Sequence, residues 1–126
     1  MIIIKSQREI ELMRRAGEIT ALTLKEVERY IKPGITTMEL DKIAEEFILS
    51  QKATPTFKGY HGFPASICTS INKEVVHGIP GLRTLKDGDI ISIDVGAVFE
   101  GYNGDAARTF PVGNVEANAI RLIEVA

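Results

Sequence analysis

Ile90–Phe99 (IISIDVGAVF) and Tyr102–Phe110 (YNGDAARTF), separated only by Glu100-Gly101, decide how this chain is read. Both runs have strand composition, and a short loop ending in Gly closes a β-hairpin. With Glu100 and Gly101 as the loop, Phe99 lies opposite Tyr102, Gly96 opposite Asp105 and Asp94 opposite Ala107. Any even-length loop gives the same parity, because side chains alternate faces along a strand. Asp94 and Asp105 therefore share a face as diagonal neighbours, with Cβ atoms about 7–8 Å apart or less. Ser92, Asn103 and Thr109 fall on that face, and Ile91, Ile93 and Val95 on the other. Gly96, opposite Asp105, leaves room there for something other than a side chain.

Aspartate is disfavoured in strands, so two on one face need a reason. Like charges placed together cost folding free energy unless a cation lies between them. Two carboxylates at this separation can reach one metal pair, whose ions typically sit about 3.5–4 Å apart. Such an oxygen-rich face suits Mn²⁺, Fe²⁺, Co²⁺ or Zn²⁺ in a mixed site. Spacing alone leaves a second reading open, in which this is the solvated face of an edge hairpin and its polar residues are simply wet.

Working outward, Ser6 to Glu9 fits a capping box. Ile10, Met13, Ala16, Thr20, Leu24, Val27 and Ile31 then recur at helical spacing up to the breaker Lys32-Pro33-Gly34. Gly17 interrupts this helix at a cost of about 1 kcal/mol relative to Ala, which points to a close packing contact. A second box, Thr36 to Glu39, opens a shorter helix with Leu40, Ile43, Ala44, Phe47 and Ile48 on one face, ending near Gln51. Thr54 to Pro64 is loop-like and unusually aromatic. Ser66 to Ile71 reads as a strand. Val75-Val76 leads into a rigid turn through Pro80, and Lys86 to Asp89 is a further turn. Val115, Ala119, Ile120 and Ile123 begin another helical face, with no capping signal before Ala126. The expected fold is α+β, with helices covering one face of an antiparallel sheet.

The totals agree with a globular chain. Of its 126 residues, 44% are hydrophobic and 25% charged, and the net charge is −2. Neither disorder nor specific nucleic-acid binding is expected, since no basic stripe appears. The lone Cys68 cannot form an internal disulfide, so a cytoplasmic location is expected. The three isoleucines near the N-terminus are too few for a signal segment or a membrane span.

Other residues have weaker claims taken singly. His77, between Val76 and Gly78, could donate to a substrate carbonyl or simply bond nearby backbone. Tyr60, Phe63 and Cys68 could line a small pocket with a soft wall or be plain core. There is no HExxH, CxxC, GxSxG or phosphate loop, and two aspartates alone do not close a metal site.

Taken together, these segments resemble one family. Gly59-Tyr60-His61-Gly62-Phe63-Pro64-Ala65-Ser66-Ile67-Cys68, Ser70-Ile71-Asn72 and Val76-His77-Gly78-Ile79-Pro80 are similar to type I methionine aminopeptidases. So are Lys86-Asp87-Gly88-Asp89, Ile93-Asp94-Val95, Gly104-Asp105 and Thr109-Phe110. The resemblance runs along the whole chain in order. It implies the N-terminal half of a pita-bread fold, a domain of two similar halves, so that 1–126 is one incomplete domain. It implies Asp94 and Asp105 as ligands of two divalent cations of the Co, Mn, Fe, Zn or Ni class, and His77 as a catalytic residue that also contacts substrate. Tyr60, Phe63 and Cys68 match the pocket for the methionine side chain, with Phe57 at its edge and His61 nearby.

The implied activity is metal-assisted removal of the initiator methionine from nascent proteins. The family's remaining ligands, a histidine and two glutamates, are absent from this chain. The half alone is therefore expected to bind metal weakly and to be nearly inactive. Two alternatives stand beside this reading. One is a structural half that forms a homo-oligomer through the surface a second half would cover. The other is a non-catalytic pita-bread binding module, against which the two aspartates and His77 argue. No membrane partner is expected.

Overall fold

The computed structural model describes residues 6–72 and 78–114. The expectations for Met1–Lys5, for Val75-Val76 and for the helical face from Val115 onward lie outside the described residues.

Helix α1 spans Gln7–Glu28. Its capping box forms as the sequence predicts: Ser6 N donates to Glu9 Oε1 and Glu9 N to Ser6 Oγ, both at 3.2 Å. The buried face is Ala16, Ile19, Thr20, Thr23, Leu24 and Val27. Ile10 and Met13, expected on that face, are exposed. At 3.6 residues per turn, Ile10 falls about a quarter-turn or more from the centre of the buried stripe; Met13 is in phase but exposed all the same. Thr20 and Thr23 enter the interior because each hydroxyl donates to a carbonyl of the preceding turn, Gly17 O at 2.7 Å and Ile19 O at 2.6 Å. The helix ends before the expected breaker, with Tyr30 N and Ile31 N bonding back to Val27 O and Glu28 O. Ile31 still packs against the core from outside the helix.

Helix α2 spans Thr37–Ser50 and ends at Gln51. Thr36 caps it, its hydroxyl accepting from Glu39 N at 3.1 Å. Leu40, Ala44 and Ile48 are fully buried, while Ile43 and Phe47 flank them, half-buried.

Four antiparallel strands follow: β1 (Thr54–Pro55), β2 (Ile67–Ile71), β3 (Ile90–Phe99) and β4 (Tyr102–Pro111). β3 is the centre of the sheet. β4 pairs along its whole length, so β1 and β2 share its other edge, at Val98–Ala97 and at Val95–Ile91. Glu100 and Gly101 have φ of 48° and 85°, the two positive values of a primed hairpin turn, whose twist matches that of the strands. The observed register is the expected one throughout, with Asp94 opposite Ala107 and Gly96 opposite Asp105.

Ile91, Ile93, Val95 and Ala97 join Ile19, Leu24, Val27, Leu40, Ala44 and Ile48 in one core between sheet and helices. Among the described residues the helices cover that face alone, as the α+β reading expects. The backbones of α1 and β4 approach closely. A Cβ built on Gly104 would sit 2.5 Å from the backbone carbonyl of Ala16 and 2.8 Å from Gly17 N, whereas one on Gly17 meets nothing within 4 Å. The close approach anticipated at Gly17 thus depends on the glycine across from it. Gly104→Ala is expected to destabilise the chain by about 1–3 kcal/mol. Gly17→Ala should stabilise it by up to about 1 kcal/mol through helix propensity. Urea unfolding midpoints of the two variants check the contrast.

Candidate metal and substrate site

The sheet face turned away from the helices carries the chemistry. Residues directly opposite across strands share a face, so Cys68 of β2 joins Asp94 and Ala107 in one row across the sheet. Asp105 stands diagonally from Asp94. Ser92 and Thr109, also on this face, share a hydrogen bond of 2.9 Å between their hydroxyls. Asp105 is exposed and Asp94 half-buried, with Asp94 Oδ1 shielded from solvent. The solvated-face reading therefore holds for Asp105 and fails for Asp94. Within the hairpin β3 is paired on both edges, while β4 is paired only to β3 among the described residues.

The space over Gly96 is not open. A Cβ there would meet Thr56 Cβ and Oγ1 at 3.0 Å. Thr56 N donates to Gly96 O at 3.0 Å, and Thr56 Oγ1 hydrogen-bonds Asn103 Oδ1. Gly96 thus admits the start of the aromatic segment, correcting the expectation that it clears space for a ligand.

From Thr56 the chain turns over this face. Residues Tyr60–Gly62 form a short 3₁₀ turn between Gly59 and Gly62, with φ of 85° and 78°. Gly59 N donates to Phe63 O at 2.8 Å, and Phe63 N to Tyr60 O at 2.9 Å. This closed unit brings Phe57 and Phe63 edge to face, their centroids 6.4 Å apart, in the geometry that aromatic pairs favour. Together Phe57, Tyr60, Phe63, Cys68, Asp94 and Asp105 line a cavity of about 320 Å³. Tyr60, 67% exposed, stands at its rim. One cavity thus has an apolar aromatic wall, a thiol and two carboxylates. That composition suits a small apolar side chain attached to a polar, metal-directed group.

Burial pushes the Cys68 thiol up, and the charges of Asp94 and Asp105 push it further. Cys68 is therefore neutral at physiological pH and acts as a soft wall. The two carboxylates are hard oxygen donors of the kind divalent cations take. Their placement fits a cation at the cavity floor, but they form a pair rather than a closed set. Among the described residues, no three His, Cys, Asp or Glu side chains converge on one point.

Of the residues singled out from the sequence, Asp94, Asp105, Cys68, Tyr60, Phe63 and Phe57 meet in this cavity. His61 belongs to the 3₁₀ turn by its backbone; its side chain, like the whole of His77, lies outside the described residues. Two further contributors are not legible in the sequence. Thr56 wedges the aromatic segment onto β3. Asp41 of α2 accepts from Ser66 N at 2.7 Å and Ile67 N at 3.0 Å with one carboxylate oxygen. Neither carries a local signal, because each acts on residues distant in sequence. For Asp41, the only oddity is a carboxylate beside the buried Leu40.

A family model described as metallopeptidase family M24 matches residues 11–126. Methionine aminopeptidase 1 of Bacillus subtilis is 61% identical over 125 residues, covering 99% of this chain and 50% of that protein. The methionine aminopeptidase of Clostridium acetobutylicum is 59% identical over 126 residues, with the same coverage. Among solved structures, the Rickettsia prowazekii methionine aminopeptidase superposes with a TM-score of 0.93 at 44% identity, covering 99% of this chain and 50% of that one. A prolidase from Pyrococcus furiosus gives 0.82 at 25% identity, covering 98% and 35%. The chain spans about half the length of the curated relatives it matches. The fold is the pita-bread half implied by the resemblance. Among the described residues, no helix is long and apolar enough to cross a membrane. The family model covers nearly the whole sequence and the relatives agree along it, so the chain belongs to metallopeptidase family M24.

Proposed function

We propose that this chain is the N-terminal half of a methionine aminopeptidase, contributing two metal ligands and the side-chain pocket to removal of the initiator methionine. The observation that carries the reading is the shared cavity, in which two carboxylates and an aromatic, thiol-bearing wall face one another. Asp94 and Asp105 would hold the metal through their carboxylates. Phe57, Tyr60, Phe63 and Cys68 enclose the methionine side chain, excluding water from it and leaving its α-amine and carbonyl toward the carboxylates. A small apolar pocket of this kind selects for size and shape, each methylene being worth about 1–3 kcal/mol. A divalent pair bound there supplies Lewis-acid polarisation of the amide and lowers the pKa of water. The resemblance assigns His77 to substrate contact near the scissile bond and His61 to the neighbourhood of the pocket.

The test is to incubate the chain with Mn²⁺ or Co²⁺ and a peptide beginning Met-Gly, over a range of chain concentrations, and to measure released methionine. Release is expected to be negligible at low concentration. Any release seen at higher concentration, where copies can associate, should vanish in Asp94→Ala. Release indifferent to Asp94→Ala, or equal for peptides with other first residues, would sink the reading. Sedimentation over the same range reports whether copies associate, independently of activity.

Metal binding can be read separately. Paramagnetic resonance of Mn²⁺ should show a dissociation constant on the order of 1 mM or weaker, as for sites with few charged ligands. Asp94→Ala and Asp105→Ala should each abolish it, and binding that survives both would remove the metal assignment.

The thiol gives a third check. The pKa of Cys68 is raised above the ordinary thiol value, with burial first and the two carboxylates second. The thiolate thus appears only at higher pH than in a free cysteine. The rate of alkylation by iodoacetamide should rise with pH around a midpoint above the ordinary thiol range, and Asp105→Asn should move that midpoint down. An unmoved midpoint would mean that Cys68 does not share the cavity with Asp105.

A further inference from the structure

The pocket wall is a closed loop unit tied to the sheet at both ends, through Thr56 and through the pairing of β2 with β3, and α2 adds further attachments. Lys58, next to Phe57, pairs with Glu45 of α2. At the far end, where the segment enters β2, one oxygen of Asp41 accepts from both Ser66 N and Ile67 N. Asp41 and Glu45 are four residues apart and so lie on the same side of α2. Phe57, Tyr60 and Phe63 all lie between these attachments, and Cys68 follows directly. Inside the loop the backbone hydrogen bonds close among residues 57–63 and give the unit its shape.

We propose that Asp41 is a positioning residue for the pocket: from α2 it fixes the backbone of Ser66 and Ile67, where the segment joins β2, and with Glu45 it orients the aromatic wall over Asp94 and Asp105. The inference rests on the function proposed above and deepens it by naming what sets the pocket's shape. A carboxylate kept only for stability is a poor choice here. Burial is the leading cause that raises the Asp41 pKa above 3.8, outweighing the two backbone hydrogen bonds that lower it. For an acid raised on folding the sign is plain: its contribution to stability falls as pH climbs from the unfolded value through the folded one. At neutral pH the ionised Asp41 therefore costs stability while still holding two N–H groups in place.

The test compares Asp41→Ala, Asp41→Leu and Asp41→Asn with the native chain. Asp41→Leu keeps the branched volume without an acceptor and removes the buried charge, so it carries the comparison if Asp41→Ala fails to fold. Two readouts are taken well below the thermal transition, whose midpoint is recorded for each variant. One is binding of L-methioninamide by ligand-observed NMR, and the other is the rate of Cys68 alkylation by N-ethylmaleimide at fixed pH. In Asp41→Ala and Asp41→Leu, binding should weaken about tenfold, the scale of losing a charge-assisted hydrogen bond. Alkylation should quicken several-fold in both as the start of β2 opens locally. Asp41→Asn, which retains an acceptor, should stay within about twofold of native in both readouts. Asp41 is not among the charges acting on the Cys68 thiol, so a change in rate reports geometry. Thermal midpoints that shift while both readouts stay native in the two acceptor-less variants would overturn the proposal and leave Asp41 a purely structural residue. If the native chain itself fails to bind L-methioninamide, the pocket reading falls, while alkylation still decides whether Asp41 positions this wall.

Discussion

The register of β3 against β4 is the feature from which the remaining architecture follows. It is pinned by a two-residue turn with positive φ at both Glu100 and Gly101, a loop that permits one pairing of the flanking residues. A slip by one residue would turn Asp94 into the core and Ile93 and Val95 into solvent. The turn therefore defines both the face that packs on the helices and the face that carries the carboxylates. Because β3 is paired on both edges, that assignment passes to β2 and places Cys68 beside Asp94.

Two glycines let the backbone approach this hairpin from either side, for unlike reasons. On the helix side Gly104 lets α1 approach at Ala16 until their backbones almost touch, seating Ile19, Thr23 and Val27 over the strands. On the other side Gly96 receives Thr56, and so determines where the aromatic segment leaves the sheet. A Cβ at Gly104 would press on the backbone of α1, while one at Gly96 would crowd the Thr56 side chain. The site is thereby built from a rigid floor and a wall that is docked rather than continuous with it. Its floor is hydrogen-bonded sheet; its wall is an internally closed turn held by Thr56, Lys58 and the backbone of Ser66 and Ile67.

The chemistry of the cavity follows from that arrangement. The carboxylates of Asp94 and Asp105 border the cavity together, and their charge acts on the Cys68 thiol beside them. The apolar wall lowers the local polarity and strengthens that field. A cavity with one charged floor and one greasy wall discriminates orientation as well as size. A chain spanning about half the length of its relatives can present this surface, while two carboxylates leave most of a cation's coordination to other donors.

Local rules make much of this legible. The Ser6 and Thr36 caps, the end of α2 at Gln51, the strand at Ile67–Ile71 and the hairpin pairing are all decided within a few residues of sequence. Each can therefore be read from the chain alone, as can the shared face of Asp94 and Asp105. Matters of contact across the chain cannot. Ile10 points away from the core, Thr56 fills the space over Gly96, Gly104 rather than Gly17 needs to be small, and Asp41 grips the start of β2. Each of these depends on segments far apart in sequence. Periodicity reports that a helix has an apolar side, but the partner surface selects which turns of that side it covers. The elements, their faces and the carboxylate pair are thus written in local sequence. What lies over each face is settled by tertiary packing, because the free energy of that choice resides in contacts between distant segments, where no local pattern records it.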